Sequence, residues 1–146
     1  MTSFRFPLQK ILDWRRTQLD VEEVQYRQQA AAMAALDSAS AQLQASGMAA
    51  ERQVRNWKPV AGSELEALGS YRLHVQMKQT ELAVPRAECR KELARRYDAM
   101  LEARRRLRLL ERLRERRLSE WKLARDREID EVAAESYLAR WNQRQA

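Results

Sequence analysis

Trp57-Lys58-Pro59-Val60-Ala61-Gly62-Ser63 is the stretch on which the fold turns. Three glycines and three prolines occur in the 146 residues, and only here do they gather. On both sides run long segments of Ala, Leu, Glu, Gln and Arg, the residues that lose least entropy in a helix. One interruption between two such segments predicts an all-α fold: two long helices in an antiparallel coiled-coil hairpin. The predicted boundaries are helix one over about 7–57, a tip turn at 58–63 and helix two over about 64–141, in a single domain spanning 1–146. Lys58-Pro59 should stop helix one, because the residue before a proline is pushed out of the α region. Ser63 and Glu66 have the spacing of a capping box for helix two.

A heptad count supports the pairing. One register of helix one holds Leu12, Leu19, Tyr26, Met33, Ser40, Gly47 and Val54. The other holds Leu8, Arg15, Glu22, Gln29, Leu36, Leu43, Ala50 and Trp57. Such spacing places a narrow seam on one side of a helix, here with polar slots at Arg15, Glu22 and Gln29. In helix two the seam is read through Leu65, Leu68, Val75, Leu82, Cys89, Leu93, Met100, Leu107 and Leu110, then in a shifted phase through Leu118, Trp121, Ile129 and Val132. Pro85 removes one helical hydrogen bond and should kink the helix, with a chain break as the alternative.

At about 1.5 Å per residue the arms are roughly 75 Å and 115 Å long, so they are unequal. Folding about residue 60 pairs positions whose numbers sum to roughly 121. Leu12 then faces Leu109 or Leu110, Leu19 faces Leu101 and Val54 faces Ala67. The second helix should overhang from about residue 114 onward, leaving Leu118, Trp121, Leu123, Ile129, Val132, Tyr137 and Trp141 short of cover. Uncovered apolar residues on a projecting helix read as a docking surface or a site of self-association.

The net charge is +7, and residues 86–117 carry thirteen basic against six acidic side chains. Residues 8–57 balance six against six, and residues 118–146 are slightly acidic. The positive field is thus a band on helix two, which calls for an acidic partner: protein, nucleic acid or anionic lipid. Leucines interleave the arginines of 104–117, unlike a basic zipper region, and no aromatic stacking platform accompanies them. A solvated face opposite the seam and a protein docking face both account for the run better than nucleic-acid binding.

No phosphate loop, zinc set or catalytic triad is legible. The glycines are scattered, and a lone Cys89 and His74 cannot make a metal site. No cofactor is expected. Glu22-Glu23 and Asp130-Glu131 are sequence neighbours on different helix faces, and a two-helix hairpin has little interior for a pocket. The expectation is therefore a protein without enzymatic activity. No apolar run spans a membrane, the first residues lack a signal-peptide core, and one cysteine excludes an internal disulfide, which together favour the cytoplasm.

Two blocks carry a resemblance. Phe4-Arg5-Phe6-Pro7-Leu8-Gln9-Lys10-Ile11-Leu12-Asp13-Trp14-Arg15 resembles the start of the flagellar export protein FliJ family. Leu110-Glu111-Arg112-Leu113, followed by Asp126-Arg127-Glu128-Ile129-Asp130-Glu131, is similar to that family's C-terminal pattern. The resemblance implies a small cytoplasmic coiled coil of the type III export apparatus, peripheral at the inner membrane and touching the membrane only indirectly. Its implied partners are the hexameric export ATPase, the cytoplasmic domain of the export gate protein and export chaperones, with no nucleic acid. By carry-over, Phe4, Phe6, Leu8, Ile11, Leu12, Leu110, Arg112, Arg116, Arg117 and Trp121 would meet the ATPase. Leu43, Val54, Trp57, Tyr71, His74 and Val75 at the tip would meet the gate, although the alanine-rich helix-one tip departs from the family's aromatic and aliphatic pattern. The alternatives are a stalk from a non-flagellar type III system and a basic helical adaptor for nucleic acid.

Overall fold

A computed structural model describes residues 2–57, 59 and 61–146. The fold is all-α: α1 spans Gln9–Arg55 and α2 spans Gly62–Gln145, 47 and 84 residues, and the two pack against each other. Contacts divide the chain into two compact units. One comprises Met1–Leu19 with Glu102–Ala146, the other Asp20–Leu101.

Within the Asp20–Leu101 unit, α1 and α2 form an antiparallel pair joined at the tip. α1 ends two residues before the predicted boundary. Asn56 N–H donates to both Arg52 and Gln53 carbonyls at 3.3 Å, and Trp57 N–H to Val54 at 3.1 Å. These bonds tighten the last turn, as orphan carbonyls at a helix end require. Trp57, expected on the seam, therefore lies beyond the helix and is 39% exposed. The turn expected at 58–63 and the helix stop at Lys58 fall partly on Lys58 and Val60, which lie outside the described residues; Pro59 is an exposed bend.

Half of a capping box forms, two residues earlier than the sequence predicts. Ala61 is the cap: its carbonyl accepts from Glu64 and Leu65 N–H at 3.1 and 3.3 Å, and Glu64 Oε2 accepts from Ala61 N–H at 3.1 Å. Glu64 thus supplies the returning half of a box, while alanine leaves the forward half unmade, and Ser63 and Glu66 lie inside the first turns. Ala61→Ser should complete the box and add about 1 kcal/mol of stability, seen as a raised melting temperature. Ser63→Ala should change little; a larger loss at Ser63 than gain at Ala61 would move the cap back to the predicted position.

The seam of this unit keeps α1 in strict heptads. Tyr26, Gln29, Leu36, Ser40, Leu43, Gly47, Ala50 and Val54 are half-buried and Met33 is buried at 7% exposure. On α2 the covered positions run Glu64, Leu68, Tyr71, Val75, Gln79, then Leu82, Arg86, Cys89, Leu93, Arg96 and Met100. The first five contain two successive four-residue steps, a local unwinding relative to the heptad. Leu65 consequently falls off the seam at 54% exposure, and Ala67 is exposed where it was expected to face Val54.

Polar side chains occupy much of this seam, and they are matched across it. Ser40 Oγ donates to Gln79 Oε1 at 2.7 Å while Gln79 Nε2 donates to the Ser40 carbonyl at 2.8 Å. Gln29 Nε2 reaches the Cys89 carbonyl at 3.4 Å and its sulfur at 3.2 Å. Arg86 grips Asp37 at 2.9 Å, Arg96 donates to Gln25, and the Tyr26 and Tyr97 rings lie 5.7 Å apart. Such pairs fix register rather than add much stability. The numbers of these partners, apart from Gln29 with Cys89, fall within two of the expected sum of 121. α2 continues through Pro85 as helix, so the chain break does not occur.

Within the other unit, α1 from Gln9 to Leu19 packs on α2 from Glu102. Pro7 and Leu8 form the turn into α1, with Gln9 N–H on the Phe6 carbonyl at 3.1 Å. Phe6, Leu12 and Leu107 make the core, and Phe4, Leu8, Leu19, Leu110 and Leu113 pack against it. Leu12 is fully buried. Leu110 takes the inward place that was offered to Leu109 or Leu110, while Leu109 is 60% exposed. Leu101, expected opposite Leu19, is 38% exposed, because Met100 and Ala103 hold the seam positions.

The overhang also starts later than predicted. Leu118, Trp121 and Arg125 are half-buried, and every residue from Asp126 onward is exposed. The non-helical segment Thr2–Phe6 accounts for the difference. Chain outside a helix advances about 3.3 Å per residue against about 1.5 Å within one, so these five residues can cover about eleven of α2. Among the described residues, no helix is long and apolar enough to cross a membrane.

Candidate functional site

The residues singled out at the N-terminus and on α2 converge in one unit, but they divide by exposure. Phe4 stacks obliquely on Trp121, ring centroids 6.0 Å apart, and the Arg114 guanidinium lies 5.8 Å from the Phe4 ring. Arg114 Nε also donates to Gln9 Oε1 at 3.1 Å, and Arg125 covers Trp121 at 5.2 Å. Phe4, Phe6, Leu8, Leu12, Leu110 and Trp121 are thus occupied in holding the N-terminal segment to α2. Ile11 at 46% exposure, with the exposed Arg112, Arg116 and Arg117, is what this group offers to a partner.

Sequence reading missed Trp14. It is 55% exposed beside Ile11, with the Arg15 guanidinium 4.7 Å from its ring. Its signal was available: Trp14 fits neither heptad register, and a tryptophan off the seam of a charged helix points outward.

An open groove of about 1160 Å³ lies between the N-terminal segment and α2, with Phe4, Pro7, Leu113 and Trp121 as apolar walls and Arg5, Arg117 and Glu120 at its edge. A thin hairpin was expected to have almost no such space. The groove exists because a non-helical strand of chain does not fill the side of a helix as another helix does. No group of three or more metal-binding side chains occurs among the described residues.

At the tip, in the other unit, Leu43, Val54, Tyr71 and Val75 are half-buried seam residues. Trp57 and His74 are exposed, with the His74 ring 6.4 Å from that of Tyr71. A shallow hollow of about 430 Å³ beside Gly47 and Met48 is rimmed by Glu51 and Arg72, which pair at 2.9 Å. Farther along, Arg95 and Arg96 both bind Glu92, at 2.7 and 3.0 Å. The hydrogen bond from Arg95 is the main reason the Glu92 carboxyl is held below its usual range, against an opposing effect of burial. Arg95 is raised in turn by that bond.

The cationic face is the dominant electrostatic feature of the first unit. Residues 104–117 carry eight arginines and two glutamates. Several are already paired along the helix, such as Arg105 and Arg106 with Glu102 at 3.5 and 3.1 Å, and Arg16 of α1 lies 3.8 Å from Glu111. The chain matches no protein-family model, no curated protein and no solved structure.

Proposed function

We propose that this chain is a non-enzymatic stalk of a flagellar type III export apparatus, working in the cytoplasm at the inner-membrane export machinery. Its exposed basic face engages the hexameric export ATPase through Arg112, Arg116 and Arg117, with Ile11 as the apolar contact. The carried-over aromatics Phe4, Phe6 and Trp121 act indirectly, by fastening the N-terminal segment that shapes this end. Trp57 and His74 at the tip meet the cytoplasmic domain of the export gate, and export chaperones are escorted on the same coiled coil. A stalk of this kind needs no active site, because its role is to favour some conformations of a ring over others through differential contact.

The observation that carries the reading is the separation of a closed apolar core from an exposed arginine face in one unit. Arg112, Arg116 and Arg117 replaced together by Glu should reduce stimulation of the ATPase by about tenfold or more, by turning attraction into repulsion. Helicity should be unchanged, since these side chains are exposed. Unaltered stimulation would remove the ATPase from the proposal. The density of arginines over 104–117 also supports an alternative, a nucleic-acid adaptor, which predicts salt-sensitive retardation of DNA or RNA in a gel.

A further inference from the structure

α2 carries a second stripe, on the side facing away from α1. Leu109, Leu123, Tyr137 and Trp141 are 60%, 61%, 66% and 50% exposed. At about 100° per residue, all four point within about 40° of Leu123. Arg105, Arg112, Arg116, Asp130 and Ala134 share that direction and are exposed. The covered seam residues Leu107, Leu110, Arg114, Leu118 and Trp121 lie on the opposite side.

This stripe is complementary to itself when reversed. Residues 104–117 hold eight basic and two acidic side chains, while 126–135 hold five acidic and one basic. Laid antiparallel on a second copy with a twofold axis at Leu123, Leu123 meets its own counterpart. Arg116 then meets Asp130, and Leu109 meets Tyr137. Farther out, Arg105 meets the face of Trp141, a favourable cation–π pair, and Arg112 meets Ala134 with Asp130 and Glu131 nearby. Each pair occurs twice, as an isologous interface requires. The like charges Glu120 and Asp126 fall on the flank, where each already has an arginine, Arg117 at 3.5 Å and Arg125 at 3.3 Å.

We propose that the outward stripe of α2 from Arg105 to Trp141 is a self-association surface, on which a second copy of this chain docks antiparallel about Leu123. A helix face about 55 Å long and 10 Å wide covers roughly 1,100 Å² over both copies. That lies at the low end of specific interfaces, so the dimer is reversible and forms as concentration rises. It covers Arg112 and Arg116, so dimerisation competes with any acidic partner for the basic face.

Sedimentation of the isolated chain tests this without reference to an ATPase, so its outcome is separate from that of the proposed function. The parent should pass from monomer to dimer across the micromolar range. Leu123→Asp should stay monomeric throughout with unchanged helicity, because Leu123 is 61% exposed on the side of α2 away from the covered seam. Arg116→Asp and Asp130→Arg should each weaken the dimer about tenfold or more, and the double exchange should restore it. In a Cys89→Ser background, Leu123→Cys should oxidise to a disulfide-linked dimer, since only a residue on the axis meets itself. A parent that remains monomeric, a Leu123→Asp variant that dimerises normally, or a charge exchange that fails to restore association would each overturn the proposal.

Discussion

Leu12→Ala is expected to destabilise the protein by about 3 kcal/mol, within the range for large-to-small changes in a core. Among the described residues, Leu12 is the one large side chain with no exposure at all. It sits between Phe6 and Leu107, with Leu8, Leu19, Leu110 and Leu113 around them. A core made by two helices and a short segment is a single layer, so few neighbours can move in to fill the space left by three missing carbons. The residual cavity therefore adds to the lost transfer energy. Phe6 loses its packing at the same moment, and the segment carrying Phe4 should loosen from Trp121. Urea unfolding followed by circular dichroism would show the loss of stability, and tryptophan fluorescence would report the exposure of Trp121. Leu109→Ala, measured at a concentration too low for self-association, is the control: its side chain is 60% exposed, so it should cost no more than about 0.5 kcal/mol. Equal losses at the two leucines would mean that the core does not lie where these contacts place it.

Those two leucines also show where the sequence was legible and where it was not. Both heptad registers of α1 correspond to covered positions from Leu8 to Val54, polar slots included. They were readable because α1 never changes phase, and because Ser40 and Gln29 have polar partners in Gln79 and Cys89. α2 was harder to read because it has leucines on two faces. Leu101, Leu109 and Leu123 keep helical spacing with one another as well as with the seam, and only the partner helix decides which set is inside. The four-residue steps from Leu110 through Arg114 to Leu118 change the phase, which appeared in the sequence as a shift after Leu110 without its cause. The N-terminal segment was least legible. Phe4 and Phe6 have no period to declare a face, so an aromatic lead that reads as a contact patch is also what a clasp on Trp121 requires. A glutamate three residues after a capless alanine hid the true start of α2 behind the more conventional Ser63 and Glu66.

Pro85→Ala should move stability the other way, upward by about 2 kcal/mol. Pro85 lies far inside α2, is exposed, and brings no N–H to the carbonyl of Glu81 one turn earlier. Proline in a helix interior costs about 3 kcal/mol relative to alanine. Part of this is offset because proline also restricts the unfolded chain, by up to about 1 kcal/mol. The side chain is exposed and outside the covered seam, so its truncation removes little buried surface. For a chain of this length the gain corresponds to roughly 5–8 °C in melting temperature. Val84→Ala, at a neighbouring position that is 63% exposed, isolates the contribution of helix propensity and should shift stability by only a few tenths of a kcal/mol. The competing outcome has its own structural meaning. Arg86, the next residue, bonds Asp37 at 2.9 Å and Ser40 at 3.4 Å. If the proline ring sets the local course of α2 that seats this arginine, straightening the helix would break the pair. Pro85→Ala would then lower stability, and Asp37→Asn would cost nothing further in that background. A gain in stability, with Asp37→Asn still costing what it does in the parent, places the proline as a local defect that the Arg86–Asp37 pair tolerates rather than needs.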